Sequence, residues 1–214
     1  MADLAIDAER LARRYGRRWA LADVSIRIPV GSVTMLSGRN GSGKSTLLRV
    51  LATAIRADQG RATILGFDLV RHRPDIRRAS ALLAHYNYLY EALTARENLE
   101  VIADHLGQGR GSIAALLDRV GLAGRGDDPV STYSAGMRKR VSFARVLLQE
   151  PRIVLLDEPY AQLDPAGFEL VDSVVRELRS GGVTVLMATH HLDRTVAIAD
   201  HHLVLEAGRV ESFR

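Results

Sequence analysis

Cysteine is absent from the 214 residues, so neither a disulfide framework nor a thiolate metal site is available. Lysine is nearly absent too: Lys44 and Lys139 are the only two, and arginine carries almost all of the positive charge. No uncharged apolar run approaches the roughly 20 residues of a membrane span, and no N-terminal segment resembles a signal peptide. These absences favour a domain that folds around its own hydrophobic core in a reducing compartment.

The charge balance is mildly basic, with a formal net charge of +4. The arginines are scattered in short groups, and no RNA- or DNA-binding motif accompanies them. A solvated surface therefore explains these groups better than a polyanion-binding patch, and contact with anionic lipid or nucleic acid is the alternative. We expect no nucleic-acid partner.

The most informative stretch is 38–46, GRNGSGKST, which has the pattern G-x-x-x-x-G-K-[ST]. An apolar run precedes it and apolar residues at helical spacing follow it, so a strand enters the loop and a helix leaves it. Glycines permit the positive φ angles that aim backbone N–H groups at one point, next to the helix N-terminus. This predicts a cradle for a nucleotide polyphosphate, with Lys44 on the β- and γ-phosphates and Ser45 on Mg²⁺. The candidate nucleotide ligands here are Gly38, Asn40, Gly41, Ser42, Gly43, Lys44, Ser45 and Thr46.

Hydrophobic periodicity predicts the fold around this loop. Alternation of apolar and polar residues in 4–11 and 24–28 indicates a small antiparallel sheet, and 44–55 has the spacing of a helix. After residue 150, short apolar runs alternate with helical segments, which indicates parallel strands joined by right-handed crossovers. The predicted fold class is therefore α/β, with an antiparallel β flank.

A helical insertion interrupts this alternation. Residues 94–149 have the pattern of helices separated by glycine-rich turns. Thr94 and Glu97 have the spacing of a capping box, which would begin the first helix. The expected division of a single domain, 1–214, is 1–88 with 150–214 for the α/β core and 89–149 for an α-helical subdomain.

Two acids follow an apolar run in the second half of the chain. The run 153–156 ends in Asp157 and Glu158, so both carboxylates lie at the C-terminal edge of a buried parallel strand, where ligands bind in open α/β sheets. Asp157 is suited to hold Mg²⁺, and Glu158 to orient and deprotonate an attacking water. We predict a metal ligand and a general base at these positions.

The segment 133–137, YSAGM, precedes a helix predicted over 138–149. It is similar to the signature motif of ATP-binding cassette (ABC) ATPases, and the whole order of motifs resembles that family. The resemblance implies a RecA-like P-loop NTPase core, in which Ser134 and Gly136 bind the γ-phosphate of the ATP held by the opposite subunit. The positions that depart from the commoner L-S-G-G-Q are Tyr133, Ala135 and Met137.

The resemblance assigns further residues. Tyr15 resembles the aromatic residue that stacks on adenine, with Trp19 as the weaker candidate. Asp164 resembles the aspartate of a loop that contacts the opposite subunit, although its neighbours differ from the usual small residues. His190 resembles the switch histidine that contacts the γ-phosphate and the attacking water. The predicted catalytic residues are Lys44, Glu158 and His190.

His85 stands where most ABC ATPases have a glutamine that touches Mg²⁺ and signals to the membrane partner. Because Mg²⁺ prefers oxygen ligands, we expect at most weak coordination by His85 beside Ser45 and Asp157, and a solvated loop histidine is the alternative. A zinc site built from the C-terminal histidines is disfavoured, because adjacent histidines point in different directions and no cysteine joins them.

Within the family, His85, the segment 89–99 and Pro159–Tyr160 resemble the ATP-binding subunit of the haem exporter of cytochrome c maturation. This resemblance implies haem export, and export of drugs, lipids or polysaccharide is the runner-up. A non-transport ABC ATPase is less expected, because such proteins usually carry two cassettes or a long coiled coil. The implied cofactors are ATP and Mg²⁺. The implied partners are a second copy in a homodimer and a separate integral membrane permease, which would place the chain peripherally at the cytoplasmic face of the membrane.

Overall fold

The computed structural model describes residues 3–214, so Met1 and Ala2 of the predicted domain lie outside the described residues. The strands are β1 (Leu4–Tyr15), β2 (Arg18–Pro29), β3 (Val33–Ser37), β4 (Gln59–Ile64), β5 (Phe67–Asp68), β6 (Ser80–Leu83), β7 (Ile153–Asp157), β8 (Thr184–Ala188), β9 (His201–Glu206) and β10 (Arg209–Phe213). The α-helices are α1 (Lys44–Leu51), α2 (Arg73–Ala79), α3 (Ala95–Leu106), α4 (Ile113–Arg119), α5 (Ala135–Leu148), α6 (Pro165–Ser180) and α7 (Leu192–Val196). Among these helices, none is both long and apolar enough to cross a membrane.

The strands form two sheets. The first is antiparallel, in the order β2-β1-β4-β5, and the second has the order β10-β9-β3-β8-β7-β6. Strands β9, β3, β8, β7 and β6 of the second sheet run parallel, and β10 returns antiparallel to β9. The predicted α/β class with an antiparallel flank is confirmed.

Helix α1 lies between the two sheets. Its residues Leu47 and Leu51 are fully buried in a cluster with side chains from β1, β2 and the second sheet. Ile153 of β7 joins this cluster, whereas the next residue, Val154, joins a second cluster with α3 to α6. Strand β7 is therefore covered on both faces, which explains its unbroken apolar sequence.

The chain between β6 and β7 is helical and is anchored at its start. The Thr94 hydroxyl accepts from the Glu97 N–H at 3.1 Å and the Glu97 carboxylate accepts from the Thr94 N–H at 2.8 Å, which is the predicted capping box. The buried amide of Asn98 donates to the Tyr90 carbonyl at 3.0 Å and accepts from the Tyr90 N–H at 2.8 Å. The boundaries of a separate helical subdomain stay a prediction.

Several elements differ from the predicted ones. Helix α2 was not predicted. Ile76 is the only buried residue in this helix, and a single apolar residue cannot show helical spacing. The edge strand β10 was not predicted either. Helix α1 ends at Leu51 rather than at Ile55, since Thr53 adopts a φ of 57° that a helix cannot continue through. Helix α7 ends at Val196, earlier than predicted.

Candidate active site

The phosphate loop joins β3 to α1 and needs glycine at two points. Gly38 and Gly43 have φ angles of 144° and 107°, and an added Cβ would lie 2.1 Å from the carbonyl oxygen of Leu205 and 2.4 Å from that of Ala20. Backbone of β9 and β2 therefore packs directly against the loop. The Lys44 ammonium donates to the Gly38 carbonyl at 2.6 Å, so the loop curls over the lysine.

A cleft of about 680 Å³ opens beside this loop. The sequence-predicted residues that line it are Tyr15, Asn40, Gly41, Gly43, Lys44, Ser45, Thr46, His85, Glu158 and His190. Gly38 and Ser42 support the loop outside this lining, and the buried Ser42 hydroxyl has no hydrogen-bond partner among residues 3–214. Sequence reasoning did not place Arg18, Ala20 or Ala161 in the cleft: Arg18 and Ala20 reach it through the packing of β2, and Ala161 has no functional group that would indicate a role.

Two pairs of polar groups meet at this edge of the sheet. The Ser45 hydroxyl donates to Asp157 Oδ1 at 3.0 Å, and Asp157 is buried at the end of β7. His190 Nε2 lies 3.3 Å from Glu158 Oε1. The first pair offers two oxygen ligands, and the second places a carboxylate beside an imidazole that can orient it.

Glu158 has a strained backbone. Its φ of 49° lies in the left-handed region, which residues other than glycine occupy at a cost and often at functional sites. The Glu158 N–H donates to the Ala188 carbonyl of β8 at 2.9 Å, which holds this turn in place. The turn directs the half-buried side chain into the cleft instead of continuing the strand.

Both lysines of the chain act on the same carboxylates. Burial lowers the pKa of Lys44, and Glu158 and Asp157 oppose that shift. Lys139 on α5 is 5% exposed, and burial lowers its pKa to about 8, again against the attraction of Asp157 and Glu158. The acid pair therefore lies in the positive field of two partly desolvated ammonium groups.

An exposed aromatic ring stands at the rim of the cleft. Tyr15 is 48% exposed, and the guanidinium of Arg13 lies 5.1 Å from the centre of its ring. Trp19 is also exposed but does not line the cleft, so Tyr15 is better placed to stack on a base. The guanidinium of Arg18 lies 3.8 Å from the point that a Cβ on Gly41 would occupy. A cation is therefore close to the phosphate loop.

The predicted signature residues lie elsewhere. Ser134 is the N-cap of α5, where its hydroxyl accepts from the Met137 N–H at 3.2 Å. This cap makes α5 begin at Ala135 rather than at the predicted Arg138. Ser134 does not line the cleft of its own chain.

Asp164 and Gly136 are also outside this cleft. The Asp164 carboxylate caps α6 by accepting from the Gly167 N–H at 2.9 Å, and it pairs with Arg140 at 2.9 Å. An added Cβ on Gly136 would lie 2.9 Å from the Gln162 carbonyl, so the start of α5 packs against the loop before α6. Nucleotide contact by these residues stays a prediction that needs a second copy.

The histidines fall in different places. His85 is exposed in the cleft, with its ring edge-on to Tyr86 at 5.5 Å, and metal coordination by His85 stays a prediction. His202 is hydrogen-bonded to the Ser37 hydroxyl at 2.7 Å in the sheet. Within residues 3–214, no group of three or more His, Cys, Asp or Glu side chains could hold a metal ion.

The residues of the cleft fit a nucleoside triphosphate with a divalent cation. Glycines at 38, 41 and 43 have the positive φ angles that let the loop backbone curve around phosphate groups. Lys44 supplies positive charge beside them. The oxygen atoms of Ser45 and Asp157, 3.0 Å apart, are ligands of the kind that Mg²⁺ prefers.

Comparison with known proteins agrees with this geometry. The family model described as "ABC transporter" matches residues 21–161. The daunorubicin resistance ATP-binding protein DrrA3 of Streptomyces coeruleorubidus is 42% identical over 98% of this chain and 68% of its own length. The lantibiotic transport ATP-binding protein SrtF of Streptococcus pyogenes is 31% identical over 94% of this chain and 87% of its own length. The chain spans about two-thirds of the length of the daunorubicin relatives.

Solved structures have the same fold. An ATP-binding subunit of an ABC transporter superposes with a TM-score of 0.91 at 27% identity, over 99% of this chain and 90% of that one. A dimeric bacterial ABC transporter cassette superposes with a TM-score of 0.90 at 25% identity, over 98% of this chain and 97% of that one.

The resemblance to a haem exporter is not supported, because the relatives are described by drug resistance and lantibiotic transport. Of the features that suggested it, His85 lies in the cleft, 89–99 includes the start of α3, and Pro159–Tyr160 lies in the turn after β7. The chain belongs to the ABC transporter family as an ATP-binding subunit, and it is an ATPase domain of that family.

Proposed function

We propose that this chain powers the export of a drug or a peptide antibiotic, by hydrolysing ATP while bound to a separate membrane permease. The names of its relatives, which refer to daunorubicin resistance and lantibiotic transport, support this class of cargo. This chain spans about two-thirds of the length of the daunorubicin relatives. The cargo and the permease are therefore proposals about the whole transporter, of which this chain is one part. Drug export was part of the runner-up predicted from the sequence, and the peptide antibiotic is added from the lantibiotic relative.

The observation that carries the ATPase chemistry is the convergence of the phosphate loop, Glu158 and His190 in one cleft, with Asp157 hydrogen-bonded to the lining residue Ser45. When bound, ATP supplies the phosphorus atom that water attacks, and Mg²⁺ neutralises charge on the phosphate oxygens. Lys44 and the loop N–H groups hold the phosphates, and Ser45 and Asp157 would hold the cation. The ring of Tyr15 offers a stacking surface for the base.

Glu158 is the proposed general base. Its carboxylate accepts the proton of the attacking water, and His190, 3.3 Å away, holds that carboxylate in orientation. The turn fixed by the Glu158 N–H keeps the base at the end of β7. The chain's own groups thus supply binding, orientation and a proton acceptor, which is what phosphoryl transfer to water requires.

A second copy would complete each site. Ser134 and Gly136 lie at the N-terminus of α5, a helix of 14 residues whose free N–H groups and partial positive charge suit an anion. Since they do not line their own cleft, we propose a head-to-tail homodimer with two shared sites at the cytoplasmic face of the membrane. Closure on ATP and opening after hydrolysis would move the permease.

The decisive experiment installs Glu158→Gln in the source organism. Drug export predicts greater sensitivity to daunorubicin or to peptide antibiotics and unchanged covalent haem in membranes. Loss of c-type cytochromes with unchanged drug sensitivity would contradict the proposal and favour haem export. In parallel, the purified chain should hydrolyse ATP only when Mg²⁺ is supplied.

A further inference from the structure

The turn after Glu158 is connected to the helix after His190 by two buried hydrogen bonds. Tyr160 is 1% exposed, and its hydroxyl donates to Asp172 Oδ1 at 2.6 Å. Asp172 on α6 is 5% exposed, and its Oδ2 accepts from the Arg194 guanidinium at 2.8 Å. Arg194 belongs to α7, the short helix that follows His190. One carboxylate therefore bridges the two segments that carry the proposed base and its histidine.

Aromatic contacts reinforce this bridge. The ring of His191 lies 5.2 Å from that of Tyr160 and 5.1 Å from that of Phe168, measured between ring centres. Tyr160 and Phe168 meet edge-on at 5.6 Å, and the Arg194 guanidinium lies 5.3 Å from the centre of the Phe168 ring. Because His191 directly follows His190, packing of its ring restrains the backbone at the switch position.

Both oxygens of the Asp172 carboxylate take part in the bridge. Each carboxylate oxygen of Asp172 has its own partner, so removing one partner leaves a buried charge less compensated. Burial raises the pKa of Tyr160, as does the neighbouring Asp172, so its hydroxyl stays protonated and donates at neutral pH. Near the end of α7, the Thr195 hydroxyl donates to the His191 carbonyl at 2.9 Å, which connects the helix to the residue that follows His190.

We propose that Asp172 is a positioning residue for hydrolysis: by bridging Tyr160 and Arg194 it holds His190 within hydrogen-bond reach of Glu158. The inference rests on the roles proposed above for Glu158 and His190. Asp172 does not line the cleft, so it acts through the two segments it joins.

The chain offers a matched control in Glu169. Its carboxylate accepts from the same nitrogen of Arg194 at 2.9 Å, but its side chain is 68% exposed and it makes no hydrogen bond to Tyr160. Glu169→Gln therefore removes an acidic partner of Arg194 and leaves the buried bridge in place. An effect shared by Glu169→Gln and Asp172→Asn would reflect the charge around Arg194 and not the bridge.

The experiment measures kcat, KM and equilibrium ATP binding for the purified chain and three variants. Tyr160→Phe and Asp172→Asn should each lower kcat about five- to twentyfold with KM and ATP affinity within about twofold, because binding groups stay in place while the base and its histidine lose alignment. Glu169→Gln should stay within about twofold of the parent in kcat. The double variant Tyr160→Phe/Asp172→Asn should lose no more than Asp172→Asn alone, since both changes break one bridge.

Several results would overturn the positioning role. Parental kcat in Tyr160→Phe and Asp172→Asn would do so, as would a raised KM at unchanged kcat, or losses that multiply in the double variant. Tyr160→Phe removes a single oxygen atom, so it keeps the test available if Asp172→Asn fails to fold. A parent chain that binds ATP and never hydrolyses it would instead refute the proposed function itself.

Discussion

Replacing Lys139 by methionine should make the protein more stable at neutral pH. Lys139 is 5% exposed, and burial lowers its pKa from 10.5 to about 8 even though Asp157 and Glu158 attract the charged form. That difference of about 2.5 pKa units corresponds to about 3 kcal/mol of cost for the charged lysine in the folded state. Methionine has a similar length and no charge. We expect Lys139→Met to raise the free energy of unfolding by about 1 to 3 kcal/mol at pH 7.

The sign of the pH dependence follows from the protons bound by each state. Below pH 8 both the folded and the unfolded chain hold the Lys139 proton, and the whole penalty is present. Between about pH 8 and 10.5 the folded chain has lost this proton while the unfolded chain keeps it, so stability contributed by this group rises with pH. The advantage of Lys139→Met over the parent should therefore shrink by about 2 kcal/mol between pH 8 and 9.5.

Urea unfolding followed by circular dichroism at a series of pH values measures this difference. Other groups that titrate in the same range cancel in the comparison between variant and parent. Lys139→Arg is the control, because its charge persists through the window, so it should lack the rise with pH that the parent has. A parent that is more stable than Lys139→Met at pH 7, or an advantage that stays constant up to pH 9.5, would refute the reasoning.

Four further predictions concern the nucleotide site. Glu158→Gln should bind ATP, stop hydrolysing it and accumulate as a closed dimer, which light scattering with Mg²⁺ and ATP would detect; near-parental turnover would contradict its role as base. A mixture of Lys44→Ala and Ser134→Arg chains should recover part of the activity that each lacks alone, since a mixed dimer keeps one intact interface. If either variant hydrolysed ATP normally as a monomer, the shared site would be wrong. His85→Ala should leave ATP affinity largely unchanged but weaken stimulation by the membrane subunit, and identical stimulated rates would favour a solvated histidine. Tyr15→Ala should weaken ATP binding about threefold to tenfold through lost stacking, measured by titration with a fluorescent nucleotide, whereas Trp19→Ala should have no such effect.

The sequence predicts the elements in which local and tertiary preferences agree. The run 153–156 is apolar throughout because both faces of β7 are covered. Helix α1 shows helical spacing of apolar residues because its buried apolar side chains all pack into one cluster between the two sheets. The capping box at Thr94 is a local device, so its residue spacing suffices to predict it. Most of the cleft was predictable for the same reason, since the phosphate loop is a contiguous motif.

Residues that enter a site from a distant part of the fold leave no such pattern. Arg18 reaches Gly41 because β2 packs against the phosphate loop, and residue spacing does not indicate that contact; the neighbouring Tyr15 and Trp19 were assigned to the site by family resemblance alone. Asp172 and Tyr160 are brought together by the packing of α6 on the turn after β7. In the sequence, Asp172 appears only as one polar residue within an amphipathic helix.

Ser134 and Asp164, both predicted to act across a dimer, differ in what they can still bind. The Ser134 hydroxyl uses one acceptor position for the Met137 N–H and keeps its proton, so it can cap α5 and donate to a phosphate oxygen at the same time. The Asp164 carboxylate accepts from the Gly167 N–H and from Arg140, which lower its pKa and keep it ionised. An ionised carboxylate has no proton to donate and repels phosphate. Ser134 is therefore suited to direct contact with the nucleotide of the opposite subunit, whereas Asp164 is suited to fixing α6 and to accepting hydrogen bonds from that subunit.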